Sequence, residues 1–277
     1  MKLVFPTWEP KGKNQIQDIN QPSDQVQTSS TPAENELRYR ITPQQVVQLD
    51  ADHAVMITGS ALVDQTGEIA GGHASPGIIS AFWFKKDKDL WTFVSQQDEV
   101  ATAGKYGEPD ETKVIRLDQT RFAISIESSD CFQGECFTNL NLFEIGQSEI
   151  KPLLNTAISL SSSNVESRDC EATMSQAVGK AIERQLEEDH FSAHECYDIT
   201  GKWHIDAKGH QPGDVIVEFN GKQEHQIELS REVGATENDP TLIKIQSTLN
   251  EIKQKQVFRY KNGQYQPVGG KNPNPEQ

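Results

Sequence analysis

The stretch Gly77-Ile78-Ile79-Ser80-Ala81-Phe82-Trp83-Phe84-Lys85-Lys86-Asp87-Lys88-Asp89-Leu90-Trp91-Thr92-Phe93-Val94 decides how this chain is read. Ile79, Ala81 and Trp83 alternate with Ile78, Ser80, Phe82 and Phe84, so a strand here carries mostly apolar side chains on both faces, the pattern of a strand covered on both sides. The charged run Lys85 to Asp89 supplies a turn, and Leu90 to Val94 comes back from it. The stretch therefore predicts an antiparallel hairpin with its tip in water and its body at the centre of the core. It identifies a folding nucleus and no chemistry.

Further hairpins follow in both directions. His53 to Val63 reads as a strand leading through the loop at Gly71-Gly72 into the nucleus. Val114 to Leu117 and Phe122 to Ile126 flank the turn Asp118-Gln119-Thr120-Arg121, and a strand ending at Ile145 turns at Gly146-Gln147-Ser148 into Ile150 to Leu154. Thr42 to Leu49, with Pro43 in a first-turn position, reads as a short helix or a strand. Tyr197, Ile199, Gly201, Trp203, Ile205 and Ala207 alternate with polar residues, which gives one core face and one wet face. Asn220-Gly221 and Asn262-Gly263 carry the signature of two-residue hairpin turns, and the second of these places Tyr260 opposite Tyr265. Met174, Ala177, Val178, Ala181, Ile182 and Leu186 recur at three- and four-residue spacing. They predict an amphipathic helix over 171–188, capped by Ser167 or Asp169 and packed on a sheet. The fold class is thus mainly β (α+β), an antiparallel meander of hairpins forming a sandwich or open barrel with one packed helix.

The organisation along the chain is a polar tether over 1–36, a β-rich meander over 37–165, a helix with β-hairpins packed on it over 166–268, the two forming either one continuous domain or two, and a flexible tail over 269–277. From Glu9 to Asn35 the branched aliphatics are only Ile16, Ile19 and Val26, too few to offset the entropy of ordering. Such a leader joins a domain to a membrane anchor or follows a removed signal as readily as it forms an ordinary loose terminus. Met1 to Pro6 is too short for the apolar part of a signal peptide, and no apolar run approaches the roughly 20 residues of a membrane span.

Composition narrows the partners. A chain of 277 residues with 41 acidic and 26 basic side chains has a formal charge of -15. It repels phosphate backbones and anionic lipid heads, which excludes nucleic acid and favours a protein partner with a basic face. The four cysteines fall as Cys131 with Cys136 and Cys170 with Cys196. Two disulfides are the reading this spacing favours, ahead of reduced thiols and of a four-thiolate metal site, since Cys170 and Cys196 form no zinc knuckle. The longer loop stabilises by about 3 kcal/mol on the chain-entropy model. Disulfides point to a location outside the cytoplasm, and reduced cysteines would point inside it.

The string His73-Ala74-Ser75-Pro76-Gly77, followed by Ser80 to Phe84, Leu90-Trp91, Ala103 to Gly107, Val114 to Leu117 and Cys131-Phe132-Gln133-Gly134-Glu135-Cys136, resembles uncharacterised bacterial proteins of the envelope or secreted fraction. The resemblance covers about residues 53–145. It implies a β-rich extracytoplasmic domain and no assigned chemistry.

Candidate chemistry is sparse. His190, His194 and Glu195 stand at a spacing that on a helix could hold a metal, but the run His194 to Asp198 lacks the second histidine of a zinc-protease motif, and a solvated chain end is the simpler reading. Ser75 near His73 lacks a nucleophile elbow. Gly71-Gly72 and Gly104 to Gly107 lack the pattern of a phosphate loop. No catalytic residue and no cofactor is expected. Trp83, Trp91, Tyr260 and Tyr265 are the aromatics available to a binding surface, with the core as the competing place for Trp83. The expectation is a non-catalytic extracytoplasmic binding protein, of the inhibitor or immunity type, facing a basic protein. The rival is an envelope hydrolase with a site assembled from loops.

Overall fold

The computed structural model describes residues 1–5, 16–17, 38–166, 170–187, 195–207, 209–233 and 241–275. In chain order the strands are β1 (Ile16–Gln17), β2 (Arg38–Gln48), β3 (His53–Val63), β4 (Gly77–Asp87), β5 (Leu90–Ala103), β6 (Thr112–Arg116), β7 (Phe122–Phe132), β8 (Glu135–Ile145), β9 (Ile150–Pro152) and β10 (Ile158–Ser163). Then come the short helix α1 (Cys170–Met174) and strands β11 (Ala181–Glu187), β12 (Tyr197–Asp206), β13 (Asp214–Glu232), β14 (Leu242–Lys261) and β15 (Gln264–Gly270). The architecture is antiparallel β with little helix, arranged in two sheets.

Two compact units divide the chain, Met1–Ser128 with Asn141–Asn155 and Ala207–Pro212, and Ser129–Leu140 with Thr156–Asp206 and Gly213–Gln277. The base of the β7–β8 hairpin belongs to the first unit and its tip to the second.

The first unit holds the meander β1-β2-β3-β4-β5. Its core joins Val47, Val55, Ile57, Ile79, Ala81 and Trp83 to Ile124, Ile126, Ile145 and Ile150, so one face of the meander packs on the hairpins formed by β6 to β9. Trp83 is 2 % exposed, and its indole N–H donates to the Gly146 carbonyl at 3.0 Å, which satisfies the one polar group that this large ring buries. The opposite face of β4 is also covered: Phe82 and Phe84 cluster with Met56, and Met1, Val4, Phe5 and Trp91 pack against them. The nucleus is therefore a strand buried on both sides, as its composition predicts.

In the second unit the order is β11-β14-β13-β12-β10-β8, with β15 paired to β14. Its buried residues include Leu160, Ile199, Val215, Val217, Phe219, Leu249 and Phe258. Asn262 and Gly263 turn the last hairpin with φ of 54° and 87°, the left-handed pair that a two-residue turn of this hand requires. Tyr260 and Tyr265 face each other across it, edge to face at 5.6 Å. Both expected disulfides are present, Cys131 to Cys136 and Cys170 to Cys196. The first closes the β7–β8 tip, where Gln133 and Gly134 form a second left-handed turn.

Two expectations are corrected, and one that stood open is decided. The helix over 171–188 reduces to α1 at Cys170–Met174, and 181–187 is strand, paired with β14 from Ala181↔Thr248 to Glu187↔Leu242. Gly179 lies at φ 77° and breaks the helical run, while Ile182 and Arg184 alternate with exposed Ala181, Glu183 and Gln185 at the strand period. The proposed caps Ser167 and Asp169 lie outside the described residues. Of the two readings of Thr42 to Leu49, helix or strand, the strand holds, and all but Leu49 belongs to β2. Asn220-Gly221 is no turn but the middle of β13. A Cβ on Gly221 would come 2.1 Å from the Asp198 carbonyl oxygen, so this glycine serves close strand approach. The tether and tail are tied down in part: Met1–Phe5 packs on the Phe82 cluster, Ile16–Gln17 pairs with β2, and Asn272 and Asn274 both donate to the Ser159 carbonyl, at 2.8 and 2.9 Å.

The turn between β6 and β7 is held by Asp118, whose side chain is fully buried. Burial alone would raise its carboxyl. The Thr120 N–H, the Arg121 guanidinium and the Arg121 N–H donate to it and hold it down, at about 2 against an ordinary 3.8. A depressed folded pKa stabilises above the unfolded value and is lost on acidification. Asp118 thus contributes about 2 kcal/mol near neutrality, fading between about pH 4 and pH 2. Asp118→Asn should remove that acid dependence in urea titrations run across this range, and an unchanged slope would contradict the assignment. For Trp83→Ala, denaturant unfolding should show a loss of about 3–5 kcal/mol from the cavity left behind, and a wild-type midpoint would refute the core role.

Candidate functional site

The residues that chemistry would need are gathered in two places, one in each unit. In the second unit, Glu224 of β13 is completely buried and forms an ion pair with Arg184 of β11, whose side chain is 23 % exposed. β14 lies between these two strands and contributes Ser247, whose hydroxyl donates to the same carboxylate oxygen as Arg184. The other oxygen accepts from the Cys196 N–H at 3.1 Å and the Gln226 amide at 2.9 Å. Arg184 also donates to Thr173 of α1 at 2.9 Å. Beside this cluster the Glu224 N–H donates to the Cys196 carbonyl, and the Cys170 to Cys196 disulfide ties α1 to the same point.

This arrangement limits what Glu224 can do. An ionised carboxylate offers about four acceptor positions, and the donors from Arg184, Ser247, Cys196 and Gln226 occupy them. A general base needs a lone pair facing its substrate. The cluster is instead a clasp: it gives a buried charge the partners it requires and locks three strands and α1 around the disulfide.

The predicted metal candidates do not assemble there. His190 and His194 lie outside the described residues. Glu195 pairs with His225, Oε1 to Nδ1 at 3.1 Å, and accepts from the Gln226 N–H at 3.2 Å. Among the described residues no group of three or more His, Cys, Asp or Glu side chains is placed to hold a metal ion. In the loop before β4 the Ser75 hydroxyl accepts from the Gly72 N–H at 3.1 Å, and His73 stacks edge-on against Tyr106 at 5.0 Å. That serine is a loop staple.

The second place is the outer edge of the first unit's meander. β5 is its last strand. Near Ala103 the edge is managed: the pairing with β4 is interrupted between Ile79 and Ala81, and the Gln97 side chain closes on Ile150, donating to its carbonyl at 3.3 Å and accepting from its N–H at 2.9 Å. The other half differs. Phe84 pairs with Phe93 and Trp83 with Ser95, so Val94 is an extra residue bulged from the ladder. Leu90, Phe93 and Val94 are 74, 41 and 58 % exposed, an apolar ribbon along the edge in which Phe93 shares a face with half-buried Trp91 while Leu90 stands on the other face. The exposed acidic residues Asp89, Asp98 and Glu99 bracket it.

Of the four aromatics considered for binding, Trp91 alone borders this ribbon. Trp83 and Tyr265 are core residues, and the Tyr265 hydroxyl donates to the Gly213 carbonyl at 2.9 Å; Tyr260 is half-buried against Tyr265. Leu90, Phe93 and Val94 lay within the nucleus stretch, but their composition alone does not separate an exposed edge from a core strand. Comparison of this chain with protein-family models, with curated proteins and with solved structures finds no match.

Glu224→Gln keeps the shape of the clasp and removes its charge, leaving Arg184 without a counter-ion. Urea unfolding should show a loss of about 3 kcal/mol, with part recovered in the double variant Arg184→Met/Glu224→Met. Stability unchanged by Glu224→Gln would mean that the pair is effectively solvated.

Proposed function

We propose that this chain is a non-catalytic, extracytoplasmic interaction protein that binds a protein partner with a basic face, in the manner of an inhibitor or immunity protein. The observation that carries this reading is the ribbon Leu90, Phe93 and Val94 on the open half of β5. A sheet edge offers unpaired backbone groups to an added strand, and alternating side chains give such a contact its selectivity. Large exposed apolar side chains on an edge are a liability; the Gln97 half of this strand is capped by side-chain hydrogen bonds to Ile150, whereas the Leu90 to Val94 half, although bulged at Val94, keeps its apolar side chains exposed. Charge supports the nature of the partner: a net -15 attracts a basic surface and speeds its encounter. The two disulfides support the compartment, because such bonds persist where the surroundings are oxidising. No helix among the described residues is long and apolar enough to cross a membrane. The hydrolase reading finds no support in the Glu224 cluster, whose acceptors are already engaged.

The test is site-specific photo-crosslinking in the native host, with the crosslinker at Phe93 and, as a control, at Lys253, an exposed residue of β14. The expected result is one discrete adduct at Phe93 that weakens with added salt and is lost in Val94→Asp. The same adducts at both positions would end the proposal. In the same preparation the four cysteines should resist alkylation until reduced, and ready labelling without reductant would place the protein in a reducing compartment.

A further inference from the structure

The apolar ribbon does not stop at β5. It continues onto the face of the sheet where Met56, Phe82 and Phe84 lie, and there the chain's own first residues cover it. Met1–Phe5 forms a single turn in which the Val4 and Phe5 N–H groups both donate to the Met1 carbonyl, at 2.9 and 2.8 Å. One turn brings positions i, i+3 and i+4 to the same side. Met1, Val4 and Phe5 are accordingly packed against the sheet, while Lys2 and Leu3 are exposed. The Phe5 ring meets Phe82 edge-on at 5.4 Å, and Phe84 in turn meets Phe93 of the ribbon at 6.2 Å.

The seat exists independently of what fills it. Met56, Phe82, Phe84 and Trp91 stand on strands whose register is set by the pairing of β3, β4 and β5. The leader's hold is slight by comparison. Three partly buried side chains contribute at most a few kcal/mol at roughly 25 cal/mol per Å², against about 1–2 kcal/mol per residue to order the backbone. A contact so near balance is sustained by covalent attachment, which supplies an effective concentration in the millimolar range. A segment held in that way yields to a competitor of similar chemistry.

We propose, resting on the reading of this sheet edge as the partner-binding surface, that the seat of Met56, Phe82, Phe84 and Trp91 receives an apolar segment of the partner, and that Met1–Phe5 is the chain's built-in competitor for it. The occupant is a peptide segment with large apolar side chains at i, i+3 and i+4 and a cationic residue between them, the chemistry that Met1-Lys2-Leu3-Val4-Phe5 displays. The cation matches the acidic character of the chain. The leader then sets the threshold for binding, since a partner must displace it before the seat is open.

The probe is the fluorescently labelled, amidated peptide Met-Lys-Leu-Val-Phe, titrated by anisotropy against the full-length protein and against the full-length variant Val4→Asp/Phe5→Asp. The variant should bind it at least about twofold more tightly, the factor released when a tethered competitor near half occupancy is removed. Adding Trp91→Ala to that variant should abolish the gain while circular dichroism and the thermal midpoint report a retained fold. Equal affinity in the first two proteins, or a gain that survives Trp91→Ala, would overturn the proposal. So would a wild-type dimer in sedimentation that the leader substitutions dissolve, since the seat would then be filled by the leader of a second copy. A discrete Phe93 crosslink without any peptide effect leaves the partner surface standing and removes the competitor. The reverse pattern removes the partner and keeps the competitor.

Discussion

The first unit depends on burying β4 on both faces at once. Ile79, Ala81 and Trp83 fill the interior against Ile124, Ile126, Ile145 and Ile150, while Phe82 and Phe84 must be covered from the other side. A single sheet packed on one layer satisfies only the first demand. The second recruits Met56, Trp91 and the leader, and that outer layer is where the apolar surface runs out toward solvent. The same requirement thus produces both the most secure part of the unit and its most accessible apolar surface.

In the second unit the organising feature is a charge. The Glu224 carboxylate cannot be buried without donors, and those it has come from two neighbouring strands, from the Cys196 backbone and from Gln226 on its own strand. Buried ion pairs are costly to desolvate, and an apolar replacement of equal shape is often as stable. What such a pair supplies is selectivity of arrangement. A slip of one residue in β13 or β14 would turn Glu224 away from Arg184 and Ser247, so the clasp penalises the wrong register more than it rewards the right one.

Much of the architecture was legible because it rests on local rules. The double-sided apolar pattern of 77–84, the alternation of 197–206 and the Asn262-Gly263 turn are each decided by side chains within a few residues, and the cysteine spacing suggested both disulfide pairs. The failures have one cause, which is that distant partners outweighed local preference. Residues 174–186 carry a helical period and a strand period together, and β14 selects the second. Asn220-Gly221 reads as a turn until β12 is seen to press on Gly221. Glu224 had no signal at all: in β13 the buried positions Val215, Val217 and Phe219 are odd-numbered, and burial changes phase before Glu224. The exposed ribbon was hidden for the opposite reason, since nothing in Leu90 to Val94 tells that β5 is an edge.

The asparagine clasp near the chain's end joins stretches far apart in sequence. Asn274 donates to the Ser159 carbonyl and accepts from the Ser162 hydroxyl, across sequence separations of 115 and 112. Closing a loop of that length costs about 3 kcal/mol more entropy than closing a tight hairpin on logarithmic scaling. These bonds therefore tie together parts of the chain that no hairpin brings near one another, fixing the segment 272–274 on β10. Ser159 and Ser162 stand on β10, which β8 and β12 flank, so the clasp satisfies polar groups on a strand that is already paired on both sides.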